Sequence, residues 1–160
     1  MALTPTQLTA LKVDILADPV LNAQPLNSDG AFTIAVAYNL AAVPAFVVWR
    51  TNVPTKDCKI AMVWTEFIGR SAGERDAWTF MLSNGFINAA DANVRQGIQD
   101  IFSGPGGVGS RASLVQIAKR SATRAEKLFA TGTGTDVSPG TMTFEGLLGF
   151  QDVQAARELP

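Results

Sequence analysis

With 13 Lys and Arg against 14 Asp and Glu in 160 residues, the chain carries a net charge of −1 and no global field to draw it to nucleic acid or an anionic membrane. It contains no histidine, which removes imidazole acid–base catalysis, His-activated nucleophiles and nearly all zinc or iron sites, and its single cysteine, Cys58, excludes an intramolecular disulfide. The length suits one core-forming domain, and a charged fraction of 17%, below the usual quarter, with positive mean hydropathy predicts a partly apolar surface, that of a subunit.

Thr4-Pro5-Thr6-Gln7 opens a helix, with Thr4 as cap, Pro5 at the first position and Gln7 completing a capping box. Leu8, Leu11, Ile15 and Leu16 give it a buried side, and Asp18-Pro19 stops it. Residues 25–30 are a cluster of turn formers, followed by an Ala-rich helix marked by Phe32, Ala35, Val36, Tyr38 and Asn39. Residues 31–49 are the most apolar window, but Asn39 and Pro44 break it, and no basic-then-apolar leader precedes it. Neither membrane insertion nor secretion is expected.

Residues 44–51 have high β-propensity, yet no nearby β-run offers a partner, so an extended connector is expected, packing Phe46 and Trp49 into the core. Thr55 then starts a helix whose face is Ile60, Val63, Trp64 and Phe67, ending at Gly69 and Arg70. Ser71 to Glu74 is a second capping box ahead of Ala77, Trp78, Met81 and Leu82, with Gly85 at the stop. Asn88 caps a helix over residues 89–102 that Gly104 terminates.

Residues 110–130 read as one long helix with Ser110 as cap and Gly132 just past its end. Leu114, Ile117, Ala118, Ser121, Ala125 and Leu128 form its apolar stripe, and Arg111, Lys119, Arg120, Arg124 and Lys127 a basic one. Those five cations are either DNA-facing, through phosphate contacts that read no bases, or a solvated face with intersubunit salt-bridge donors. Residues 131–140 are rich in Gly, Ser and Thr and read as an irregular arm. Thr141, Thr143 and Glu145 alternate with Met142 and Phe144 as in a short strand, which needs an edge from residues 46–51 or from another chain. A terminal helix covers residues 150–157. The expected architecture is therefore mainly α: a compact helical bundle, residues 1–130, and an extended C-terminal arm, residues 131–160, carrying a short strand and a terminal helix.

Reactive chemistry is hard to find. The loop 104–109 has the glycine separation of a phosphate-binding loop and Ser110 after it, but it lacks the lysine and the preceding strand. Asp91, Asp100, Glu74 and Asp76 each fit a first helical turn or a solvated face better than a catalytic pair. No catalytic, cofactor-binding or metal-binding residue is expected. Trp49, Trp64 and Trp78 read as core or interface anchors.

A family resemblance carries more. The run from Arg124 to Gly134, then Ser138-Pro139, Thr141 to Gly146 and Phe150 to Arg157, resembles small proteins encoded among the virion-structure genes of tailed bacteriophages. The opening Leu3-Thr-Pro-Thr-Gln-Leu8, the turn Asn27 to Gly30 and Val48-Trp-Arg50 are similar to that group as well. Within it the chain looks most like a head-to-tail adaptor, a small helical protein ringed below the portal. The resemblance implies a non-enzymatic part of the virion neck, made in the host cytoplasm. Its expected partners are further copies of itself, a dodecamer if it matches portal symmetry, then the portal protein, a tail or nozzle protein, and DNA passing through the channel without sequence reading. It also implies that the arm docks on the portal or a neighbour, with Thr141, Thr143, Phe144, Glu145, Phe150, Val153 and Arg157 as the contact residues. A capsid-decorating or tail protein, or a nucleic-acid-binding protein using helix 110–130, are the competing readings.

Overall fold

The computed structural model describes residues 3–160, and their regular structure is mainly α-helical. Helix α1 (Pro5–Ala17) starts as the sequence predicts: the Thr4 hydroxyl accepts from Gln7 N–H at 3.3 Å, and the Gln7 side chain accepts from Thr4 N–H at 2.9 Å. Asp18 ends it and caps α2 (Pro19–Asn22), its carboxylate accepting from Val20 and Leu21 N–H. Asn27 caps α3 (Ser28–Asn39). The chain continues through β1 (Val47–Trp49), β2 (Val53–Pro54), α4 (Thr55–Ala61), α5 (Trp64–Ile68), α6 (Ala72–Met81), β3 (Phe86–Ile87) and α7 (Ala92–Ile101). Then come α8 (Val108–Ile117), β4 (Lys119–Ser121), α9 (Arg124–Leu128), β5 (Ala130–Thr131), β6 (Thr141–Met142) and α10 (Phe150–Glu158). Short sheets pair β1 with β4, and, antiparallel, β2 with β3 and β5 with β6.

Two compact units result. Unit 1 runs up to Val48 and again from Ser121 to Pro160, and unit 2 is the insertion Trp49–Arg120. In unit 1, α10 packs against both α1 and α3, and α9 packs on α3. Small residues make the close approach possible: Ala31 and Ala35 of α3 and Ala156 of α10 are all buried. Leu11, Ile15, Ile34, Tyr38 and Val153 fill the space around them, and Phe129 meets Phe144 edge to face with ring centroids 5.5 Å apart. In unit 2, Trp78 and Phe102 form a second edge-to-face pair at 5.3 Å, packed with Val53, Cys58, Ile98 and Leu114. The Arg95 guanidinium lies 4.7 Å over the Trp49 ring.

Several expectations are corrected: Asp91, not Asn88, caps α7, and Leu16 is exposed, not buried, on α1. The single helix over residues 110–130 is instead α8, β4 and α9. Thr123 and Glu126 close a capping box, the Thr123 hydroxyl accepting from Glu126 N–H and the Glu126 carboxylate from Thr123 N–H at 2.9 Å, which starts a new helix within the apparent stripe. Just ahead of it, the backbone is extended, with Ala122 N–H donating to the Phe46 carbonyl at 2.8 Å. Ser110, expected as the cap, lies inside α8 and is fully buried. The connector at residues 44–51 becomes strand β1, because the supposed helix supplies β4 as its partner. The helix after Thr55 is two, α4 and α5, separated by extended backbone at Met62 and Val63, and Ile60 and Trp64 point outward.

A further correction concerns the boundary at residue 130. The segment after it folds into unit 1: Phe144, Leu148, Val153 and Ala156 belong to that core. Its strand finds an edge in its own chain, Ala130 opposite Met142 and Thr131 opposite Thr141. The glycines there serve contact, not looseness. Gly134 has φ +65°, and any Cβ on it or on Gly140 would overlap the Phe46 ring.

Candidate assembly surface

The residues expected to dock on a neighbour are mostly committed inside unit 1. Phe144 and Val153 are buried, and Phe150 is half-buried against the core. Thr141 pairs in the β5/β6 ladder, and the Thr143 hydroxyl donates to the Phe129 carbonyl at 2.6 Å. Arg157 donates to the carbonyls of Pro25 and Gln24 at 2.9 and 2.7 Å, clamping the turn before α3. Glu145 is exposed. Phe144 and Val153 cannot reach a partner while unit 1 is folded.

The five cations do not form one stripe either. Arg111, Lys119 and Arg120 fall in unit 2, Arg124 and Lys127 in unit 1. Arg111 donates to the carbonyls of Phe102 and Gly104, holding the glycine loop, and Lys127 donates to the Pro44 carbonyl at 3.1 Å. Lys119 and Arg120 are half-buried on β4. Arg124 is the hub of a cluster: it donates to Asp14 and Asp18 at 2.9 Å each and lies 4.6 Å over the Tyr38 ring. Tyr38 donates to Asp14 at 2.5 Å. The hydrogen bond from Arg124 and those from Leu21 and Val20 N–H hold Asp18 below the ordinary carboxylate range. Burial, with the Asp14 hydrogen bond, pushes the Tyr38 phenol far up.

The glycine loop is occupied by the protein itself. Glu66 accepts from Gly109 N–H at 3.0 Å and from Ser110 N–H at 2.7 Å, where a phosphate would have to sit. Hydrogen bonds from the Ser110 hydroxyl and backbone hold its carboxyl below the usual range. Arg70 adds donors to the Ser103 and Gly106 carbonyls. The acids singled out from the sequence behave as helix starters: Glu74 in the Ser71 capping box, Asp91 as the cap of α7. Asp100 accepts from Gln96. Burial pushes the Cys58 thiol up to about 11, which leaves it protonated and unreactive. Among the described residues no group of three or more His, Cys, Asp or Glu side chains could hold a metal ion, and no helix is long and apolar enough to cross a membrane.

Large apolar side chains are exposed on both units. On α3, Phe32, Val36 and the following Leu40 are 61, 46 and 62% exposed and lie along one side of the helix, opposite the buried Ile34, Ala35 and Tyr38. On unit 2, Ile60, Trp64 and Ile68 are exposed, and Lys59, Met62, Trp64, Phe67, Trp78 and Leu82 border a cavity of about 420 Å³. The sequence marks α3 as apolar on every side, and that is the signal for a second contact face. Both units thus present exposed apolar side chains among the described residues. No family model matches the chain, and neither a curated protein nor a solved structure does.

Proposed function

We propose that the chain is a head-to-tail adaptor of a tailed bacteriophage. Copies of it form a ring beneath the portal, about a dozen if the ring follows portal symmetry, and join it to the tail. The resemblance of residues 3–8, 27–30, 48–50, 124–134, 138–139, 141–146 and 150–157 to virion-structure proteins supports this reading. The observation that carries it is the outward row Phe32, Val36 and Leu40, an apolar face on a folded unit that gains stability when another polypeptide covers it. Docking then belongs to exposed helix faces, with residues 131–160 acting by holding α3 in place from behind. DNA passes such a ring without being read. The competing use of a continuous basic helix loses its footing, since Arg124 is spent on two carboxylates and Arg111 on loop carbonyls.

Copy number and position in purified particles test the proposal. An adaptor is present at about a dozen copies, and gold-labelled antibody marks the junction of head and tail. Copies on the order of hundreds, spread over the head, assign capsid decoration instead, and absence from the particle overturns the virion reading.

A further inference from the structure

The two units carry opposite charge. Unit 1 holds four Lys and Arg against eight Asp and Glu, a net −4, and unit 2 holds nine against six, a net +3. The imbalance continues at the apolar faces. Asp29 lies on the same side of α3 as Phe32, Val36 and Leu40, one turn before Phe32. In unit 2, Lys59 borders the cavity lined by Met62, Trp64, Phe67, Trp78 and Leu82, and Lys56 lies one turn before it on α4. Neither Asp29 nor either lysine has an ion-pair partner among the described residues.

We infer that unit 1 of one copy docks on unit 2 of the next, with Phe32 entering the Trp64/Phe67 cavity and Asp29 meeting Lys59. The cavity's volume accommodates a phenyl ring, and its aromatic walls offer the edge-to-face contacts that such a ring favours. An aromatic anchor in an apolar pocket beside a charge pair is the arrangement expected at the centre of a protein interface. The contact joins two different faces of identical chains, so it propagates head to tail and closes into a ring when the rotation permits. A symmetric α3-to-α3 contact would set Asp29 near its own copy and leave the cationic cavity unused. The inference rests on the ring reading and adds to it which faces meet.

Sedimentation of the full chain tests it, with Phe32→Asp on one face and Trp64→Glu on the other, both at exposed positions. The wild type associates at concentrations up to about 1 mM, more strongly at low salt. Each variant alone weakens association roughly 100-fold. An equimolar mixture of the two gives a dimer and nothing larger, because one variant still offers the cavity and the other still offers the phenyl ring. That mixed dimer also proves both variants folded. Wild-type association that Phe32→Asp abolishes and Trp64→Glu leaves intact means α3 meets something other than this cavity. Association unchanged in both variants, or no mixed dimer from two monomeric ones, overturns the interface and leaves the ring reading standing. A wild type that stays monomeric at about 1 mM contradicts both.

Discussion

Arg124 shows how a residue's chemistry can be fixed by partners far away in sequence. Read in its own helix it is a surface cation, but it bridges Asp14 and Asp18 and covers Tyr38, tying α9 to α1 and α3. Asp18 has a lower pKa folded than unfolded, so its pairing stabilises the fold above the ordinary carboxylate range and is lost as pH falls through the folded value. Arg124→Met is therefore expected to lower Tm by a few degrees at pH 7, with the gap to wild type closing once pH falls below the ordinary carboxylate range and shrinking in high salt. Thermal melts across pH check this, and a gap that stays constant below that range would show that the ion pairs contribute nothing. Gly134 makes the opposite kind of demand, for the absence of a side chain. Gly134→Ala puts a Cβ at φ +65° into the Phe46 ring and is expected to cost about 1–3 kcal/mol in urea unfolding, where an unconstrained loop would lose nothing.

At the level of elements, the helix starts were the most legible part of the sequence, because a capping box is a local rule that tertiary packing leaves alone. Thr4 with Gln7 and Ser71 with Glu74 are where the spacing puts them. The same rule, applied to Thr123 and Glu126, marks a helix start inside residues 110–130, where an apolar repeat at helical spacing pointed to continuity. Strand β4 was not legible, since Lys119-Arg-Ser121 has little β-propensity and owes its conformation to the backbone of β1. The terminal helix was visible in the sequence, but its role was not, because composition does not show that α10 fills the space between α1 and α3. This has a measurable consequence. Phe144→Ala, behind α10 and against Phe129, is expected to destabilise unit 1 by roughly 3–5 kcal/mol. Far-UV circular dichroism during denaturation reports it. Trp49, Trp64 and Trp78 all lie in unit 2, so tryptophan fluorescence follows that unit separately. Removing residues 149–160 is expected to abolish the helical signal of unit 1 altogether. A truncated chain with α1 and α3 still protected from hydrogen exchange would mean that α10 is dispensable.

For the molecule as a whole, low overall charge and apolar composition gave the right kind of surface without its location. Only the fold separates Ile34 and Tyr38, which face inward, from Phe32 and Val36, which face out, though all four sit within two turns of α3. The fold likewise sorts a nearly neutral chain into an anionic and a cationic unit. Both features make sense for a protein that works by fitting copies of itself and its neighbours together. Hydroxyl-radical footprinting of Phe32 and Trp64, in the free chain and in intact particles, measures that most directly. Both side chains are expected to label readily when free and several-fold less in the particle, whereas equal labelling in the two states would contradict an assembly role for these faces.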